Sequence, residues 1–155
     1  MSAIIPYAGG CLCGAVRYAV KREARTVYAC HCTDCQRSTG AAFGISLVVD
    51  RSAVSVEKGE PAPYAAQLSD GRTKQGMMCA NCGTKLGSES MRNRDFLIIR
   101  PGSLDDRSWI EPVAHIWTRS VHSWFRFPPG AKLFETQPAE AWKELFKLWN
   151  ERSQR

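Results

Sequence analysis

Apolar and polar positions alternate most clearly in residues 15–20, where Val16, Tyr18 and Val20 oppose Ala15, Arg17 and Ala19. A period of two predicts a strand there. Residues 26–30 (TVYAC) are β-branched and aromatic and predict a second strand that ends on Cys30. The polar stretch 33–39 runs to Gly40 and predicts a short turn or one helical turn. Residues 42–50 form the most strand-like run of the chain, followed by shorter strands at 53–57 and 64–68 around the turn-rich KGEPAP. Strands are also expected at 74–78, 84–86, 96–100 and 113–118, and the aromatic, proline-rich segment 123–129 is expected to close over the core.

The spacing changes near the C-terminus. Trp142, Leu145, Phe146 and Trp149 recur at helical intervals, with Lys143, Glu144 and Lys147 on the other face. Pro138 suits a first helical turn and Thr136 a cap, so an amphipathic helix is predicted over 138–152. Its apolar stripe fits docking on a sheet, with a partner surface as the alternative. No linker or internal repeat divides the chain. The pattern predicts a single domain over 1–155, mainly β, with one terminal helix.

The 155 residues are 44% hydrophobic and 23% charged, ordinary values for a globular chain. No segment has the apolar length of a membrane span, and the N-terminal MSAIIPYAGG lacks the features of a secretory signal. The net charge is +6, but the basic residues are dispersed with no run of four, which argues against nucleic acid.

The seven cysteines fall into three clusters: Cys11 and Cys13; Cys30, Cys32 and Cys35; Cys79 and Cys82. Thiols used only as small core groups would be scattered. Short links let sulfurs converge on one ion, and closely spaced thiols without a secretion signal point to metal in a reducing cytoplasm. Zinc takes four ligands in closed structural sites and three protein ligands in open catalytic ones. Seven thiols divide as four plus three, with Cys11, Cys13, Cys79 and Cys82 stapling distant parts of the chain, and Cys30, Cys32 and Cys35 forming an open site. Spacing leaves other pairings open. In an extended segment His31 points away from its neighbours, so it is read as supporting the ligands or facing solvent.

The stretches GGCLCGAVRY, CHCTDCQRSTGAAFG, CANCGTKL, IIRPGSLDD and VAHIWTRS resemble the glutathione-dependent formaldehyde-activating enzyme family, which includes the centromere protein V group. The likeness covers residue 9 to about 124 and excludes the final helix. It implies a zinc-stapled Mss4-like (β-tent) fold. It also implies two zinc ions per chain, structural on Cys11, Cys13, Cys79 and Cys82 and catalytic on Cys30, Cys32 and Cys35. The implied reaction joins formaldehyde to the thiol of glutathione, giving S-(hydroxymethyl)glutathione; it is classed as a carbon–sulfur lyase reaction. Where relatives often carry an aromatic residue before the second pair, this chain has Met77 and Met78.

Three thiolates donate charge to zinc and make it a poor generator of hydroxide, yet it can still hold an incoming thiol as its nucleophilic thiolate. Arg17, Arg37 and Lys74 are candidates for substrate carboxylates, against a reading as surface charge. Three functions follow: an enzyme acting on a small thiol and a small aldehyde, a thiol carrier without catalysis, or a zinc-stabilised interaction module.

Overall fold

The computed structural model describes residues 4–152. In chain order the elements are β1 (Tyr7–Gly10), β2 (Arg17–Val20), β3 (Thr26–Cys30), α1 (Thr33–Thr39), β4 (Gly44–Asp50), β5 (Val54–Lys58) and β6 (Ala62–Gln67). They continue with β7 (Thr73–Met78), β8 (Lys85–Glu89), β9 (Phe96–Ile99), β10 (Ala114–Ile116), β11 (Lys132–Leu133) and α2 (Ala141–Arg152). The fold is mainly β with a C-terminal helix, as the Mss4-like expectation has it.

The chain divides into two compact units, one comprising the residues up to Ala24 with Leu47–Ile110, the other Arg25–Ser46 with the residues from Glu111 onward. In the first unit β1, β2 and β5 form an antiparallel sheet in that order. A second antiparallel sheet runs β4-β9-β8-β7-β6. Leu47, Val48 and Val49 are all fully buried, so β4 is covered on both faces. That explains why its sequence is a continuous apolar run instead of an alternating one. Tyr18 is buried, with its hydroxyl 2.7 Å from Ser103 Oγ, and the rings of Tyr7 and Trp109 meet tilted, with centroids 4.7 Å apart.

In the second unit β10 lies between β3 and β11 and runs parallel to both. β3 is buried along its whole length. α2 packs on it, with Leu145 fully buried and its carbonyl accepting from Thr26 Oγ1 at 3.1 Å. Trp142 meets the edge of Tyr28. The apolar stripe therefore docks on a strand of its own unit.

The helix begins at Ala141, later than the proline signal suggests. The reason is tertiary. The carbonyls of Phe134, Glu135 and Thr136 accept from the N–H groups of Thr118, Arg119 and Trp117 at 3.1–3.3 Å. These bonds tie residues 134–136 to the 117–119 turn, so the chain is still bending before Pro138, which is buried, and the Thr136 hydroxyl donates to the Gln137 carbonyl instead of capping the helix. Other boundaries shift by a few residues. The 33–39 turn is a seven-residue helix, and β1 and β11 were not legible as strands.

Candidate metal centres

The first unit brings Cys11, Cys13, Cys79 and Cys82 together, their sulfurs all within 4.8 Å of one another. Two similar turns do this. Cys11 N–H donates to Val16 and Gly14 N–H back to Cys11; Cys79 N–H donates to Thr84 and Gly83 N–H back to Cys79, at 2.9–3.1 Å. Gly14 and Gly83 have φ of +74° and +71°, a region glycine enters without steric cost. Cys11 and Cys13 sulfurs are 3.6 Å apart, and Cys13 and Cys79 sulfurs 3.8 Å. Four thiolates about 2.3 Å from a tetrahedral zinc would be about 3.8 Å from each other, so the donor set fits that ion.

Thr84 ties the two turns together. Its hydroxyl accepts from Leu12 N–H at 3.1 Å and lies 3.1 Å from Cys82 Sγ. That hydroxyl, with the Thr84 N–H, lowers the Cys82 thiol to about 5. Val16 N–H donates to Cys11 Sγ at 3.2 Å. Hydrogen bonds from the backbone offset the charge that four sulfurs would concentrate.

The second unit places Cys30, Cys32 and Cys35 together, with their sulfurs also within 4.8 Å of one another. Cys30 ends β3 and is buried. Cys32 is the N-cap of α1, its sulfur accepting from Cys35 N–H at 3.3 Å, and Cys35 sits in the first helical turn. Cys30 and Cys35, hydrogen-bonding to the Cys32 sulfur, hold Cys32 well below the ordinary thiol range, while the neighbours Cys32 and Cys35 drive Cys30 up. Three sulfurs this close cannot all carry charge unless a cation shares it, which is the chemistry of a metal-binding donor set.

His31 does not face solvent; it is fully buried, which corrects the solvent-facing alternative. Its rings of contact are Phe43 at 5.0 Å, Phe125 at 5.1 Å and Phe127 at 5.7 Å. His31 Nε2 lies 3.0 Å from Nδ1 of His115, also buried. Burial, then the neighbouring His115 and His122, lowers His31 to about 4, so at neutral pH the imidazole is uncharged. Its nitrogens are not among the donor atoms that gather with the three sulfurs, and among the described residues Nδ1 has no hydrogen-bond partner. His115 was missed as a supporting residue, because within VAHIWT it reads only as one strand position.

The segment 123–129 does supply a cover, through Phe125 and Phe127, although Trp124 is exposed. Of the candidate cations, Arg17 is taken by Asp105 in a bidentate pair, Arg37 is exposed, and Lys74 lies half-buried in β7. Among the described residues no helix is long and apolar enough to cross a membrane.

No curated protein matches the chain. A crystal structure of a Rhodobacter sphaeroides protein is similar in fold, with a TM-score of 0.52 and 18% identity, covering 82% of this chain and 98% of that one. The family description "Glutathione-dependent formaldehyde-activating enzyme" matches residues 6–120. With both cysteine clusters of zinc-compatible geometry inside that stretch, the chain belongs to the glutathione-dependent formaldehyde-activating enzyme family.

Proposed function

We propose that the protein is a carbon–sulfur lyase-type enzyme acting on a thiol–aldehyde adduct, forming S-(hydroxymethyl)glutathione from glutathione and formaldehyde. Two zinc ions per chain would serve it: a structural one on Cys11, Cys13, Cys79 and Cys82, and a catalytic one on Cys30, Cys32 and Cys35. The observation that carries this reading is the three-sulfur set, in which no fourth protein donor joins Cys30, Cys32 and Cys35 among the described residues. Zinc bound there would supply an open position that accepts a soft sulfur and favours its ionised form.

The chain's own groups do the rest. Cys30 ends β3 and Cys35 lies in the first turn of α1, so two of the three donors are carried by regular elements and the short connection through His31 and Cys32 joins them. Phe43, Phe125 and Phe127 wall off water around His31, and the neutral imidazole adds no competing cation. An ordinary thiol with pKa near 8.5 is mostly protonated at neutral pH, so ionising and orienting it both favour addition. In the reaction a sulfur lone pair forms the C–S bond and the carbonyl pair moves to oxygen. Solvent then returns to that oxygen the proton the thiol lost. A reducing compartment keeps seven such thiols available, which favours the cytoplasm.

Thiols add to formaldehyde unaided, so rate enhancement decides the matter. Exchange between free and hydroxymethylated glutathione, followed by NMR, should be faster with intact protein than with zinc-stripped protein or Cys32→Ser. Equal exchange in all three, with glutathione still bound by the intact form, would leave a carrier. Salt-dependent binding of nucleic acid without thiol dependence would leave an interaction module.

A further inference from the structure

We propose that Gln36 is the positioning residue of the Cys30, Cys32 and Cys35 site, its side-chain amide holding the thiol-bearing loop in register and so setting how long the site keeps its metal. This rests on the metal reading of the three thiols and not on the reaction assigned to them. His31 is the residue between Cys30 and Cys32, so the placement of its peptide groups controls both sulfurs. Its N–H donates to the Ile116 carbonyl at 3.0 Å, and its carbonyl accepts from Gln36 Nε2 at 2.8 Å. The same nitrogen donates to the Ser120 carbonyl at 2.9 Å. A primary amide has two N–H bonds on that nitrogen, so both donors are used. The Gln36 backbone is itself part of the assembly, its N–H donating to Cys32 and its carbonyl accepting from Gly40.

The second acceptor is delivered by a strained turn. Trp117 adopts φ +59° and ψ +39°, the left-handed region, and the short helical turn Thr118–Ser120 follows. A residue with a Cβ enters that region only against steric repulsion from its own backbone. The turn is retained by Trp117 N–H on Thr136, Thr118 N–H on Phe134, and the Arg119 guanidinium 4.7 Å above the Trp117 ring. Beyond Ser120 the chain leads to Phe125 and Phe127, the rings packed on His31. One amide therefore joins the peptide between two thiols to the segment that covers their neighbour. A donor set of three mutually repelling thiolates retains a cation only if its loop is held in place.

The test uses zinc-loaded full-length protein and a chromogenic chelator. Gln36→Met keeps the shape and loses both donors. Gln36→Glu keeps the shape and sets a charged acceptor against two carbonyls, whereas Gln36→Lys restores donors. The wild type should release its zinc in a fast phase from the three-thiol set and a slow phase from the four-thiol set. Gln36→Met should accelerate the fast phase about 10-fold or more, Gln36→Glu further, and Gln36→Lys should recover most of the loss, with the slow phase unchanged throughout. In cobalt-substituted protein, the part of the sulfur-to-metal charge-transfer band due to the three-thiol set should change in Met and Glu and recover in Lys. A wild-type fast phase in Gln36→Met overturns the proposal. So does an equal acceleration of the slow phase, since Gln36 would then hold the fold, and so does Gln36→Lys behaving as Gln36→Met. A wild type that binds only the four-thiol zinc removes the metal reading beneath it. Turnover is not read, so a wrong assignment of the reaction would leave each of these outcomes unchanged.

Discussion

The His31–His115 pair allows a quantitative test of how the second unit is held together. A neutral imidazole always carries one N–H, and His31 is fully buried with Nδ1 unpartnered and Nε2 3.0 Å from His115 Nδ1. His115→Phe removes the one side-chain hydrogen-bond partner that His31 has among the described residues, while keeping a ring in the aromatic cluster. Leaving one buried polar group unpaired costs about 1–3 kcal/mol. His31→Phe strands His115 Nδ1 in the same way and should cost a similar amount. Replacing both removes the need for the bond, and a phenyl ring at position 31 meets Phe43, Phe125 and Phe127. The double variant should therefore fall short of the summed single losses by at least about 1 kcal/mol, a coupling in the range seen for contacting residues. Urea unfolding of zinc-saturated protein at fixed free zinc measures this. For a chain of this length each single should lower Tm by about 2–12 °C, at about 2–4 °C per kcal/mol. Additive losses would refute the argument, since they would mean that the 3.0 Å contact carries no interdependence.

Further outcomes can be checked independently. Elemental analysis should find two zinc ions per chain, with mild chelation removing the one on Cys30, Cys32 and Cys35 first, because three ligands hold less tightly than four. Cys79→Ser should prevent stable folding by far-UV circular dichroism, as structural zinc sites often hold their fold, whereas Cys32→Ser should fold and lose thiol binding; equal unfolding would make both sites structural. Leu145→Ala should cost about 2–5 kcal/mol in chemical unfolding, because a fully buried side chain leaves a cavity under α2. Burial raises Tyr18 to about 12, above its ordinary value of 10.0. Its contribution is complete below pH 10 and is lost as pH rises through about 12, so Tyr18→Phe should flatten the alkaline limb of the stability profile.

Local pattern was enough to find the elements whose environment is uniform along their length. The run in β4 and the hydrophobic residues of β3 and β9 were legible because each strand is buried nearly throughout. The stripe of α2 was legible because one helix face meets one neighbour, β3. The three clusters of thiols were visible for a similar reason: ligands one or two residues apart need little help from the rest of the chain to converge. Non-local partners set the remainder. β1 ends in two glycines and β11 is two residues long, so each exists only because a neighbouring strand pairs with it. The start of α2 was moved by hydrogen bonds from residues 117–119, about twenty positions upstream. His31 carries no local sign of burial, since its imidazole partner and two of its covering rings lie more than eighty residues further along. The two acceptors of Gln36 show the same division: one is five residues away within the thiol loop, the other 84 residues away in a turn that only folding brings near. Residue type and short spacing determine which atoms can bind a metal, because that chemistry belongs to the side chains themselves. Which surroundings those atoms receive depends on contacts between distant segments, and no periodicity in the chain encodes them.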